Sequence, residues 1–311
     1  MKSLLEILGI ACANRGKPCA LATLVGSSGS TYRKPGARML VLPEGTVRGV
    51  LSGGCLEEEV GRLALGVISS GRSRLVTFDT RRLYGCDGSV DIFIERIPAD
   101  EGQGNFLTRM DEKFRAREIC RTRTWFGEGE GHSEILPDAA LVVERDDTFV
   151  QTIPLPVRLL LFGQGPEVAP LRWFATGLGW QIHPYAQPGH FPEDIRGDGQ
   201  TVALIMNHHF GRDLASLERV LPLALPYVGL LGPRRRQAEL LGHLCDLPNF
   251  ITDSLAAIHA PAGLDIGSES PEEIALSILS EVSAVLSQRN GGFLRERTSP
   301  IHQSTLRGKE A

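Results

Sequence analysis

Apolar positions recur along this chain with two different periods, and the changes of period divide it. Leu4, Leu5, Leu8, Ala11 and Cys12 recur at helical spacing, which predicts an opening helix with Cys12 in its packed face. Short apolar runs follow at 19–25, 38–42 and 46–51, separated by glycine, serine and proline, the punctuation of strands joined by turns. The spacing turns helical again over 56–68, and 73–78 and 90–97 read as further strands. Residues 1–97 are therefore expected to form an α+β domain. Between 98 and 155 the pattern weakens to a charged helix near 106–121 and strands at 122–126 and 141–143. That stretch reads as a connector or appendage.

From Val157 the pattern sharpens. An apolar strand over 157–162 runs into Gly163-Gln164-Gly165 and then a helical stretch over 167–176, the opening of a βαβ unit. Strands at 180–184, 201–206 and 227–231 follow, with helical spacing between the last two and again after Gly232. This alternation predicts a parallel, Rossmann-like sheet. Ser270-Pro271-Glu272-Glu273 places a serine N-cap, a first-turn proline and a glutamate as a capping box does. Ile274, Ile278, Val282 and Val285 then line one face of a closing helix. The expected fold class is thus α/β: an N-terminal α+β domain, then a Rossmann-like domain over 156–290. A polar tail at 291–311 has little to bury and is expected to be mobile.

A length of 311 residues with 42% hydrophobic content suits two domains with their own cores. The net charge of −4 provides no field toward nucleic acid or an anionic membrane, so neither is expected as a partner. Glu6 interrupts the N-terminal leucines, and no apolar run reaches the length of a membrane span. A soluble, cytoplasmic protein is expected. Its six cysteines form no CxxC pair, and in a reducing compartment they are expected to be free thiols.

Three regions carry candidate chemistry. In Ser52-Gly53-Gly54-Cys55-Leu56-Glu57 a strand ends, two glycines turn the chain and Cys55 begins a helix. A helix N-terminus favours a thiolate, so Cys55 can act as a nucleophile, sulfur carrier or soft-metal ligand; the competing reading is a small buried cysteine filling a tight turn. Upstream, the loop from Gly26 to Arg38 combines hydroxyls and glycines with Arg33, Lys34 and Arg38, a composition suited to phosphate and also to a solvated surface turn. A second cysteine turn, Gly85-Cys86-Asp87-Gly88, leaves Cys86 open and gives Asp87 a turn-shaping role. In the second domain, Gly163 and Gly165 offer backbone to a phosphate. However, Val168 replaces the third fingerprint glycine, and Tyr185-Ala186-Gln187 stand where an acid would hold a ribose. Asn207-His208-His209 and Gly232-Pro233-Arg234-Arg235-Arg236 follow two of the strands and should face the same crevice.

Taken together, these residues resemble the XdhC/CoxI family, accessory proteins of molybdenum enzymes of the xanthine dehydrogenase, aldehyde oxidase and carbon monoxide dehydrogenase type. The resemblance covers nearly the whole chain and rests on Pro35-Gly36-Ala37-Arg38-Met39, the Ser52-to-Glu57 turn and Tyr227-Val228-Gly229-Leu230-Leu231-Gly232 leading to Arg235-Arg236. It continues in Gly263-Leu264-Asp265-Ile266-Gly267 followed by Pro271-Glu272-Glu273-Ile274-Ala275. It implies a dimeric chaperone that binds molybdenum cofactor, as molybdopterin or its cytosine dinucleotide form. Such a chaperone protects the cofactor, supports exchange of an oxo for a sulfido ligand and inserts it into an apo molybdenum hydroxylase, with a cysteine desulfurase as second partner. Carried over, Cys55 with Gly53 and Gly54 contacts the cofactor, and Arg33, Arg38, Gly163, Gly165 and Arg235 are the further binding candidates. The chain departs from the family where Tyr185 to Pro188 replace an aspartate and arginine, and where Asn207 replaces a small hydroxyl residue. The alternatives are an NAD(P)-dependent oxidoreductase and a ligand-free protein-interaction module.

Overall fold

The computed structural model describes residues 1–29, 32–54, 56–79, 88–127, 131–138, 140, 143, 145–245 and 252–298. Cys55 and the turn residues Gly85, Cys86 and Asp87 lie outside the described residues, as do most of the strand expected at 141–143 and residues 299–311 of the expected tail. The chain divides into two compact units, Met1–Pro156 and Val157–Ala311.

The first unit runs α1 (Lys2–Ala13), β1 (Cys19–Gly29), β2 (Arg38–Val41), β3 (Val47–Gly49), α2 (Glu57–Ser70), β4 (Arg74–Asp79) and β5 (Gly88–Ile97). These strands form one antiparallel sheet of order β3-β2-β1-β5-β4. Because side chains alternate along a strand, this sheet buries two sets of residues. Ala20, Ala22, Leu24, Met39, Val41, Ile92 and Ile94 pack against Val60, Ala64 and Val67 of α2. Cys19, Leu21, Leu40 and Ile97 pack on the other face with Ile7, Leu8 and Ala11 of α1. Coverage on both faces explains why β1 reads as a continuous apolar run. Cys12, expected in the core, is only half-buried: the stripe of α1 that faces inward is Ile7, Leu8 and Ala11.

The stretch expected to be a connector or appendage supplies α3 (Phe106–Arg115), β6 (Cys120–Trp125), β7 (His132–Leu136) and β8 (Thr148–Ile153). Phe106, Leu107, Met110 and Phe114 of α3, with Cys120 and Ile153, share one core with Leu21 and Leu40. The strands form a separate antiparallel sheet, β7-β6-β8. Their weak pattern has a physical cause: β6 buries Thr122 and Thr124, and β7 buries Ser133, so apolarity does not mark the inner face.

The second unit runs β9 (Arg158–Phe162), α4 (Val168–Leu178), β10 (Gln181–Tyr185), β11 (Thr201–Ile205), α5 (Phe210–Val220), β12 (Val228–Leu230), α6 (Arg234–Cys245), β13 (Ile258–His259) and α7 (Pro271–Leu286). Its sheet is parallel, in the order β10-β9-β11-β12-β13. Leu160, Phe162, Ala203 and Ile205 face Leu217, Val220, Leu240 and Leu244 of α5 and α6. Leu159, Leu161, Val202 and Leu204 face Leu171 and Ala175 of α4 and Ile278, Leu279 and Val282 of α7. Helices on both faces make this the expected Rossmann-like layer. The capping box of α7 forms as read: Ser270 Oγ accepts from the Glu273 amide, and the Glu273 carboxylate accepts from that of Ser270. Such a cap contributes about 1 kcal/mol. Glu281 anchors the preceding loop, accepting from Tyr227 Oη and the Gly263 amide, both at 2.7 Å, with His259 Nδ1 at 3.0 Å.

Candidate functional site

The turn that carries Gly53 and Gly54 is built around Glu57. Its Oε1 accepts from the amides of Leu51 (3.0 Å) and Ser52 (2.7 Å), while Oε2 accepts from Ser52 Oγ (2.8 Å) and the Leu56 amide (3.1 Å). Leu51 and Leu56 are buried on the α2 side of the sheet, so both ends of the turn are pinned and its tip is exposed. Gly54 has φ +106°, a conformation that L side chains rarely adopt. Among the described residues nothing lies within 4 Å of where a Cβ would stand on Gly53 or Gly54, leaving open space above both. Burial alone would raise the Glu57 carboxyl, but its hydrogen bonds to Ser52 and the turn backbone outweigh this and hold it below the usual range. The carboxylate thus occupies the Leu56 amide at the edge of α2 and the amides of Leu51 and Ser52 across the turn. The sequence marks Glu57 only as an acid just inside a helix start, five residues after a serine.

Arg38, read as a phosphate partner, lies elsewhere. Met39 and Val41 face α2, so alternation sends Arg38 to the opposite face, where it is 5% exposed. Its guanidinium donates to Gly36 O (3.2 Å), Gln151 Oε1 (2.9 Å) and Thr122 Oγ1 (3.3 Å). Burial brings its pKa down to about 10, opposed by the charge of Glu95. Glu95 in turn accepts from the Ser133 amide (2.7 Å) and Ser133 Oγ (2.5 Å); burial raises its pKa against those hydrogen bonds and the charges of Arg38 and His132. Arg38 and Glu95 therefore latch the small sheet onto the large one. The same latch holds the phosphate-type loop at Gly36 (φ +98°), where a Cβ would collide with the Gln151 side chain. Arg33, in that loop, is exposed.

Among the described residues of the first unit, Cys12, Cys19 and Cys120 all have thiols raised above the ordinary value, which makes them poor nucleophiles. Burial pushes Cys19 up to about 12 and also raises Cys120. Among the described residues no group of three or more His, Cys, Asp or Glu is placed to hold a metal ion.

In the second unit, the glycine turn, Asn207-His208 and the start of α6 meet at the carboxyl ends of the strands, as the topology requires. Gly163 (φ +131°) has a packing reason: a Cβ there would run into the Met206 carbonyl. The open side of Gly165 is entered by Glu167 and His208. Arg235, read as a binding residue, is 92% exposed and pairs with Glu239 one turn along α6 (3.1 Å). Its neighbour Arg236, not singled out, faces inward to Leu231 O (2.9 Å) and Asp213 Oδ2 (3.7 Å). The residue type gave no means of choosing between the two; helix phase decided it.

An antiparallel α+β unit followed by a parallel Rossmann-like unit with a self-occupied glycine turn defines a two-unit α/β protein. Within that class, a model described as the XdhC Rossmann domain matches residues 159–282, and one described as the XdhC and CoxI family matches residues 12–79. A Bacillus subtilis protein described as a probable xanthine dehydrogenase subunit is 30% identical, over 84% of this chain and 91% of its own. The Escherichia coli molybdenum cofactor insertion chaperone PaoD is 25% identical, over 87% of this chain and 84% of its own. A crystal structure described as a xanthine dehydrogenase from Bacillus halodurans superposes with a TM-score of 0.75 at 26% identity, covering 93% of this chain and 97% of that one. The chain belongs to the XdhC/CoxI family. No described helix is long and apolar enough to cross a membrane.

Proposed function

We propose that this protein is a molybdenum cofactor chaperone serving a hydroxylase of the xanthine dehydrogenase or aldehyde oxidoreductase type. The observation that carries the reading is the open glycine turn pinned by Glu57, in a family whose relatives include a molybdenum cofactor insertion chaperone. The cofactor, as molybdopterin or its cytosine dinucleotide, is cargo whose chemistry belongs to the recipient enzyme. The open space above Gly53 and Gly54 leaves the turn accessible to the cofactor. Cys55 supplies the soft sulfur ligand or sulfur carrier, and Arg33 supplies the cation for the phosphate. Arg38 acts from behind, holding Gly36 of the loop in place. A cysteine desulfurase supplies sulfur for exchange of an oxo ligand, the apo hydroxylase receives the product, and the working form is a cytoplasmic homodimer.

Anaerobic transfer to an apo hydroxylase tests this reading. Loaded parent protein is expected to restore hydroxylase activity above a buffer control, and Cys55→Ser to restore about tenfold less. Equal restoration by both chains would remove Cys55 from the account, and no restoration by the parent would remove the chaperone.

A further inference from the structure

In a dinucleotide-binding βαβ unit, the glycine turn lacks side chains so that a pyrophosphate can reach the backbone and the start of the following helix. Here that approach is taken by the protein itself. Glu167 immediately precedes α4, and its Oε2 stands 2.5 Å from where a Cβ on Gly165 would be, with His208 Nε2 at 3.1 Å from the same point. Glu167 is 8% exposed, and Oε2 is buried without a hydrogen-bond partner. His208 Nε2 is 4.0 Å away, beyond hydrogen-bond distance. Arg236 does not compensate, because it is turned onto Leu231 O and Asp213.

A buried carboxylate oxygen with no donor is costly and calls for a reason. We propose that Glu167 is a specificity-determining residue: it fills the phosphate seat of the Rossmann crevice with the protein's own carboxylate and so excludes nucleotide pyrophosphates from the glycine turn. The exclusion is steric and electrostatic, since like charges forced together away from bulk water repel strongly. It is independent of the cofactor turn in the first unit.

Calorimetric titration of NAD and of inorganic pyrophosphate into the full chain, its Glu167→Gln variant and its Glu167→Ala variant tests this, with thermal melts as the control for folding. The parent is expected to show no saturable heat at millimolar ligand, and Glu167→Ala to bind NAD at least about tenfold more tightly than the parent. Glu167→Gln should move in the same direction by less, because it removes charge but keeps bulk. Micromolar binding of NAD by the parent overturns the proposal. So does a failure of both variants, melting like the parent, to gain affinity. If the alanine chain does not melt cooperatively, the glutamine chain alone decides, with a gain supporting and no gain overturning.

Discussion

Replacing Arg38 with methionine is expected to destabilise the first unit by roughly 3 kcal/mol, because it takes the donor from Gln151 and Thr122 and removes a nearby positive charge from the buried Glu95 carboxyl. Arg38 and Glu95 are 5% and 3% exposed, so Glu95 would keep its Ser133 hydrogen bonds and lose a neutralising charge. Amide exchange at Thr122, Ser133 and Gln151 is the appropriate measurement, since it reads the latch locally; 3 kcal/mol corresponds to acceleration on the order of a hundredfold. The Arg38→Met/Glu95→Leu pair should cost much less than the two single changes summed, because no uncompensated charge remains. Additive losses, or an Arg38→Met cost below about 1 kcal/mol, would show that the latch does not hold the sheets together. The pH dependence has a defined sign. Glu95 has a raised folded pKa, so between the ordinary glutamate range and that raised value the native state holds more proton than the unfolded chain. Stability therefore falls as pH rises through that window.

Glu57→Ala is the second large expected effect. Removing the carboxylate leaves the amides of Leu51, Ser52 and Leu56 without their shared acceptor, apart from Ser52 Oγ at Leu56. Exchange at Leu51 and Ser52 should accelerate by about tenfold or more, and the protein should lose its hold on cofactor although Cys55 is intact. Here the pH sign is the reverse of that for Glu95. Glu57 has a depressed folded pKa, so its contribution is fully present above the ordinary glutamate pKa and is lost as pH falls through the depressed value. Parent and Glu57→Ala should thus differ clearly at pH 7 and converge as the solution is acidified below that value. A constant difference across that range would mean that the turn is held by packing of Leu51 and Leu56 instead.

What could be read from the sequence follows from which faces are apolar. β1, β9 and β11 are buried on both sides, so their runs announced themselves, and the α7 cap was legible because Ser270 and Glu273 are local partners. β6 and β7 were faint because their inner residues, Thr122, Thr124 and Ser133, are polar and are satisfied by Arg38, Glu95 and one another. Periodicity sees only one segment, and those partners are remote in sequence. The same limit applies to the arginines among the site residues. Arg38 reads as an exposed cation in a glycine-rich loop until β2 shows which face it occupies, and Arg235 and Arg236 are indistinguishable until α6 sets their phase. The third glycine's replacement by Val168 hinted at an altered phosphate turn; that Glu167 fills it required coordinates.

In the proposed function, the first unit carries molybdenum cofactor through Cys55 on the turn that Glu57 holds. The most direct test is to purify the parent and Cys55→Ser anaerobically from cells that make the cofactor, then quantify bound molybdenum and released pterin. Near-stoichiometric molybdenum and pterin in the parent, lost in the variant, is the predicted result. Neither in the parent, under conditions that load a known carrier, would contradict the claim.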